Sequence, residues 1–116
     1  MGKMFSFLVI ILALVGTSIY AGGDEEEQLL SANSCVNCDL SNALLEEANL
    51  RKADLSGAKL YRANMEYADL RGANFTGADL SNVRLRGANL TNAILDNAIL
   101  RYTNLGDANL SGASLK

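Results

Sequence analysis

The sequence predicts an all-β solenoid, a chain wound into a four-sided β-helix of about four coils behind a short capping helix. Three observations carry this expectation. From Cys38 to the end, the chain divides into sixteen five-residue units without an insertion, the last one short by a residue. Two positions of each unit are apolar and nearly uniform: Ala stands first in thirteen units and Leu third in fourteen. Large rings are scarce, with four Tyr, three Phe and no Trp, so the core has to be built by repetition.

The first element, residues 1–21, reads as a signal peptide. Lys3 gives a positive start, Phe5 to Val15 is an almost unbroken apolar run, and small residues follow at Gly16, Ser18, Ala21, Gly22 and Gly23. That is the order of a secretory signal. Cleavage is expected after Ala21 or as late as Gly23. The apolar run is shorter than the roughly 20 residues that span a bilayer, so no stable membrane span is expected after processing. The alternative is an uncleaved signal that anchors the chain. An exported protein, periplasmic or secreted, is therefore expected, with a lumenal compartment as the alternative.

Residues 22–37 form the second element. Asp24 followed by Glu27 has the spacing of a capping box, and acids suit the first turn of a helix. Gln28 to Ala32 can continue a short helix, which lays Leu29 and Leu30 over the first coil. An uncovered solenoid end exposes apolar side chains and unpaired backbone, so a cap is needed there.

Residues 38–116 form the third element. On an α-helix, a five-residue step turns about 500°, so successive Leu would wander round the axis. On a straight strand an odd step would alternate them between faces. Only a path that turns a quarter circle every five residues keeps every Leu pointing inward. Four units close one coil, and coils stack about 4.8 Å apart into a rod about 19 Å long. Leu fills the interior, and Ala lets the backbone corner come close. Phe75 and Val83 are the tightest fits and predict mild local widening. The corners are expected at the fifth position, where Gly and Asn recur. The remaining outer positions are expected to face water and to be free to vary.

The A(D/N)LXX units of residues 38–116 resemble those of the pentapeptide-repeat family. The resemblance implies a right-handed quadrilateral β-helix. Leu29, Leu30, Cys35, Cys38, Asp39 and Leu40 are similar to an N-terminal signature of exported members. At the C-terminal coil the edge either frays or stacks against a second copy, and the resemblance to members that dimerise through their C-terminal ends adds weight to a homodimer there. Others imitate DNA and inhibit DNA gyrase. That role needs a long acidic rod, whereas residues 38–116 carry nine acidic and nine basic side chains, so a DNA mimic is the weaker expectation.

Cys35 and Cys38 fall at Leu-like and Ala-like positions when the register is extended backwards, so both should point inward. Outside the cytoplasm a disulfide is the favoured state, pinning the cap to the first coil; buried free thiols are the alternative. A redox motif wants a βαβ context, haem attachment wants a His at position 39, and structural zinc wants four ligands. None is present, and the chain has no His.

Function is the least determined part of the sequence. A filled rod with flat walls offers no cleft for catalysis, so no enzyme activity, cofactor or metal is expected. The net charge of −3 gives no basic patch for nucleic acid. The expectation is a non-enzymatic scaffold that binds a protein partner of unknown identity, with a purely structural role as the alternative. Outward apolar residues mark the candidate contact patch: Ile94 and Ile99 at second positions on neighbouring faces, with Tyr102 on the face of Ile99. Scattered surface hydrophobes are the plainer reading of the same residues.

Overall fold

Every paired position lies twenty residues from its partner. The computed structural model describes residues 24–116; the signal-peptide reading of residues 1–21 and its cleavage alternatives fall outside them. Thirteen parallel bridges run from Ser34↔Asp54 to Ile94↔Ser114, each between a second position and the second position one coil later. Five residues per side and twenty per coil make a four-sided β-helix. Pairing begins at Ser34, one unit ahead of Cys38, because Cys35 takes the place of a Leu.

The backbone explains why the repeat is five residues long. The second-position N–H donates to the first-position carbonyl of the coil before, as from Asn64 to Ala43 (2.9 Å). The third donates to the second-position carbonyl of the coil after, as from Leu45 to Asn64 (2.8 Å). The fifth donates to the fourth-position carbonyl of the coil after, as from Gly57 to Thr76 (2.8 Å). The first donates back across the corner to the third-position carbonyl three residues earlier, as from Ala63 to Leu60 (2.9 Å). Only the fourth-position N–H is left over.

That remaining donor corrects one expectation. The second position is not free to vary. In ten units its Asp or Asn side chain accepts the fourth-position N–H, as Asn64 Oδ1 does from Glu66 and Asp79 Oδ1 from Ser81, both at 3.0 Å. A short polar side chain that bonds to backbone two residues on favours a turn. The acid or amide at this position therefore completes the backbone hydrogen bonding of the corner.

The corner residue itself is left-handed. Every fifth position from Asn42 to Gly112 has φ between 56° and 71°. Positive φ at the third residue of a turn closed by a first-position N–H is the type II geometry, which favours Gly and Asn. Glu47, Lys52, Arg62, Tyr67, Tyr102 and Asp107 adopt the same conformation at a cost of roughly 1–2 kcal/mol each relative to Gly. Residue type alone points only to the Gly and Asn corners. The repeat imposes this geometry wherever the corner falls, whatever residue occupies it.

Inside, Ala and Leu alternate as the period requires, and from Ala43 to Leu95 nearly all first and third positions are buried. Phe75 is fully buried. The ladder bonds beside it, Phe75 N to Ile94 O (2.7 Å) and Leu55 N to Asn74 O (2.8 Å), are as short as elsewhere, so the coils do not part to admit the ring.

Helix α1, Asp24–Ala32, covers the first coil. Leu29 is fully buried in the common core, and Leu30 packs against it. Asn33 ends the helix in the left-handed conformation (φ 56°), its N–H donating to Leu29 O (2.8 Å), a standard helix stop. The capping-box reading turns on the side chain of Asp24, which lies outside the described side chains. Glu27 is buried, and its Oε1 has no hydrogen-bond partner among the described residues. Glu25 instead accepts the N–H of Asp39 through Oε2, and Glu26 Oε1 accepts the N–H of Leu44 at 3.2 Å. Those donors would point at first-position carbonyls of a preceding coil. Two carboxylates stand where those carbonyls would be.

Candidate interaction face

Position in the twenty-residue coil decides which side chains share a side. Ile99, Arg101 and Tyr102 lie on one side with Lys59, Tyr61 and Arg62, two coils earlier. Ile94 belongs to the side before it. The structure thus unites Ile99 with Tyr102 and places Ile94 across a corner from them. All three are exposed, Tyr102 most of all at 84%. Tyr61 (43%) joins this side, an addition to the patch of Ile94, Ile99 and Tyr102 expected from the sequence. Sorting outward residues by twenty, rather than searching for neighbours in sequence, is the signal that finds it.

Cations distinguish this side further. Arg71 is held by Asp69 at 2.6 Å, Arg84 faces Glu66 and Arg86 faces Asp107, both at 3.8 Å. Among the described residues, no carboxylate comes within ion-pair distance of Lys59, Arg62 or Arg101. Asp39 and Asp79 share their side, but each turns one carboxylate oxygen onto the backbone, toward Ser41 and Ser81. Hydrogen bonds from the Ser41 and Ser81 side chains, and then from their N–H groups, hold both carboxyls below the usual range, with Lys59 adding to the effect at Asp39 and Arg101 at Asp79. Both therefore stay ionised, and the side carries the three cations Lys59, Arg62 and Arg101 against two carboxylates.

Like Glu47, Lys52 and Tyr67 on the other sides, the corner residues Arg62 and Tyr102 are held in a strained conformation. They share one column with Asn42 and Asn82, each a coil apart, and all four are left-handed. Asn suits that conformation; Arg and Tyr do not. Two of four corners in this column therefore carry a strained, long, outward side chain.

Cys35 and Cys38 are bonded to each other (S–S 2.04 Å) at the junction of α1 and the first coil. Cys35 is fully buried and Cys38 half-buried against the core. Cys35 Sγ lies 3.4 Å from Glu25 O, so the pair touches the helix that caps the coil. Among the described residues, no three His, Cys, Asp or Glu side chains converge to hold a metal ion.

At the opposite end, Ala98, Leu100, Leu105, Ala108, Leu110 and Ala113 remain half-buried, in contact with the core but uncovered. Leu115 is exposed.

The family model for pentapeptide repeats matches residues 38–77 and 78–116. The chain is similar to a pentapeptide repeat protein from Nostoc PCC 7120, at 40% identity and a TM-score of 0.69, over 77% of this chain and 71% of that one. It is also similar to a pentapeptide repeat protein of the Arabidopsis thaliana thylakoid lumen, at 28% identity and a TM-score of 0.47, over 86% and 73% of the two chains. Rfr23, a pentapeptide repeat protein from the cyanobacterium Cyanothece 51142, is 26% identical with a TM-score of 0.47, over 83% and 96%. No curated protein matches the chain.

Proposed function

Because the chain belongs to the pentapeptide-repeat family, we propose that it is an exported, non-enzymatic scaffold that binds another protein through one side of its coil. We read the β-helix as right-handed, as the family resemblance implies. The observation that carries the proposal is the side holding Tyr61, Ile99 and Tyr102. Three of the exposed large apolar residues lie there, on a backbone fixed by hydrogen bonds in every coil. A rigid surface loses little conformational freedom on binding. The interior is filled by Leu and Ala, which argues against a catalytic cleft. Export is supported by the signal-like character of residues 1–21 and by the bonded cysteine pair, which suits an oxidising compartment. Among the described residues, no helix is long and apolar enough to cross a membrane.

The test is a pull-down from the exported fraction with the processed protein and with an Ile94→Asp, Ile99→Asp variant. A partner retained by the parent and lost by the variant supports the binding role. No partner in either case favours a purely structural one. A second reading concerns self-association. The half-buried apolar edge of the last coil, with the N–H groups of Leu100, Leu105 and Leu110 unpaired among the described residues, suits a second copy stacked on the same surface. α1 blocks the other end, so the dimer would be symmetric. Sedimentation should show a dimer that Leu105→Lys and Leu110→Lys dissociate.

A further inference from the structure

We propose that the side carrying Lys59, Tyr61, Arg62, Ile99, Arg101 and Tyr102 docks an extended acidic segment of another protein that brings an apolar anchor. The inference rests on the binding role proposed above and names the chemistry of the partner.

Charge complementarity is the first argument. The three cations on this side have no ion-pair partner among the described residues, while Arg71, Arg84 and Arg86 on the other sides each have one. Arg51 and Lys52 sit on a side that shows no exposed large apolar residue. Among the described residues, this is the side where unpaired cations, three against the carboxylates of Asp39 and Asp79, stand beside exposed rings; Lys116, also without an ion pair, lies on the side of Ile94 and Leu115. Arg and Tyr are the residue types that carry binding energy at interfaces, and carboxylates are the groups that Arg recognises with two parallel bonds.

Strain is the second argument. Arg62 and Tyr102 occupy left-handed corners in a column whose other members are Asn42 and Asn82. Asn at all four would give a more stable rod. Residues held in costly conformations with exposed side chains gather where a protein binds or reacts. Asp69 closes onto Arg71 on the adjoining side, whereas nothing within ion-pair distance engages the strained Arg62.

Geometry fixes the form of the ligand. Arg62 and Tyr102 are two coils apart, about 10 Å at the spacing of neighbouring strands. Three residues of an extended segment, at about 3.3 Å each, span that distance. The segment should therefore place an Asp or Glu roughly three residues from an aromatic or aliphatic anchor, the acid over Arg62 and the anchor on Tyr102 and Ile99.

The experiment is selection from a displayed library of random dodecapeptides against the protein purified from its producing cells, followed by titration of the enriched peptides into three variants. Enrichment of acidic peptides with an apolar residue at that spacing is expected. Lys59→Glu, Arg62→Glu and Arg101→Glu together should weaken them about tenfold, from three rim charges of modest individual weight. Tyr102→Asn should weaken binding while raising the melting temperature by a few degrees, since Asn suits the corner. Arg62→Asn should do the same. Opposite signs for stability and binding are what a structural role for these side chains would not produce. Enriched peptides that are basic or uncharged, or acidic peptides indifferent to all three variants, would overturn the docking chemistry and leave the binding role standing. No peptide enriched above the uncoated control would remove both.

Discussion

Removing the acceptor side chain at one corner tests the hydrogen-bond pattern on which the repeat rests. Asn89 is the most informative site. Its Oδ1 lies 3.1 Å from the N–H of Thr91 and 2.6 Å from the Thr91 hydroxyl, and the flanking Ala88 and Leu90 are buried. Asn89→Ala leaves the core untouched and strands one part-buried backbone donor. The hydroxyl can turn to water; the N–H is constrained by the ladder. A lost hydrogen bond with an unsatisfied partner costs about 1.5 kcal/mol. With a urea dependence of roughly 1.5 kcal/mol per molar for a domain of this size, the midpoint of urea unfolding should fall by about 1 M. Asn89→Asp keeps the acceptor and should stay close to the parent near neutral pH. Leu44→Asn is the converse. Leu44 is 76% exposed, so little burial is lost, and the new side chain gives the Glu46 N–H the acceptor its unit lacks. Its midpoint should rise by roughly half as much. If Asn89→Ala and Asn89→Asp lose stability equally, or if Leu44→Asn destabilises, the second position does not work by accepting that hydrogen bond.

Two corner glycines should respond differently to the same substitution. A Cβ at Gly77 meets nothing within 4 Å, whereas one at Gly87 collides with the Tyr67 ring; Gly77→Ala should cost about 1 kcal/mol from backbone conformation alone, and Gly87→Ala clearly more by thermal unfolding, until Tyr67→Ser removes the excess. Phe75→Ala should destabilise by about 3–5 kcal/mol, read by chemical denaturation, because a fully buried ring leaves a cavity between stacked coils that cannot collapse without breaking the ladder. Acid should weaken the rod. Hydrogen bonds from Ser41, Arg71, Ser81 and Ser114 hold the carboxyls of Asp39, Asp69, Asp79 and Asp96 below the usual range, so their contribution is present above about pH 4 and is lost as pH falls through the lowered values. Glu26 opposes this. Burial pushes its carboxyl up despite the Leu44 N–H, so its contribution fades as pH rises through the raised value. Melting temperatures from pH 7 to pH 2 should fall for the parent and fall less for Asp39→Asn with Asp79→Asn, since Asn keeps the acceptor without titrating.

The repeat was legible because its period is a geometric constraint that acts on every unit alike. Leu at every third position and Ala at every first can converge on one axis only if the chain turns after five residues, so the four sides, the twenty-residue coil and the buried set from Leu40 to Leu95 could be read without coordinates. The place of α1 was legible too, from Leu29 and from the need to cover an open coil. Other features were decided by contacts between residues far apart in the chain. Glu25 and Glu26 looked like the first turn of a helix; they became acceptors for Asp39 and Leu44 because a first coil lacks a neighbour on one side. Asp and Asn at second positions looked like solvent-facing variation, since a pattern of side-chain polarity does not reveal that one N–H per unit has no backbone partner. Tyr102 could be marked as an outward apolar residue of a contact patch and Arg62 as a surface charge, but not as strained, because a one-dimensional sequence does not show which conformation a corner forces on its occupant. The amino-acid pattern set where the apolar groups must go, through burial. Stacking alone determined which donors were left over, which side chains answered them, and which charged and aromatic groups came to share one side.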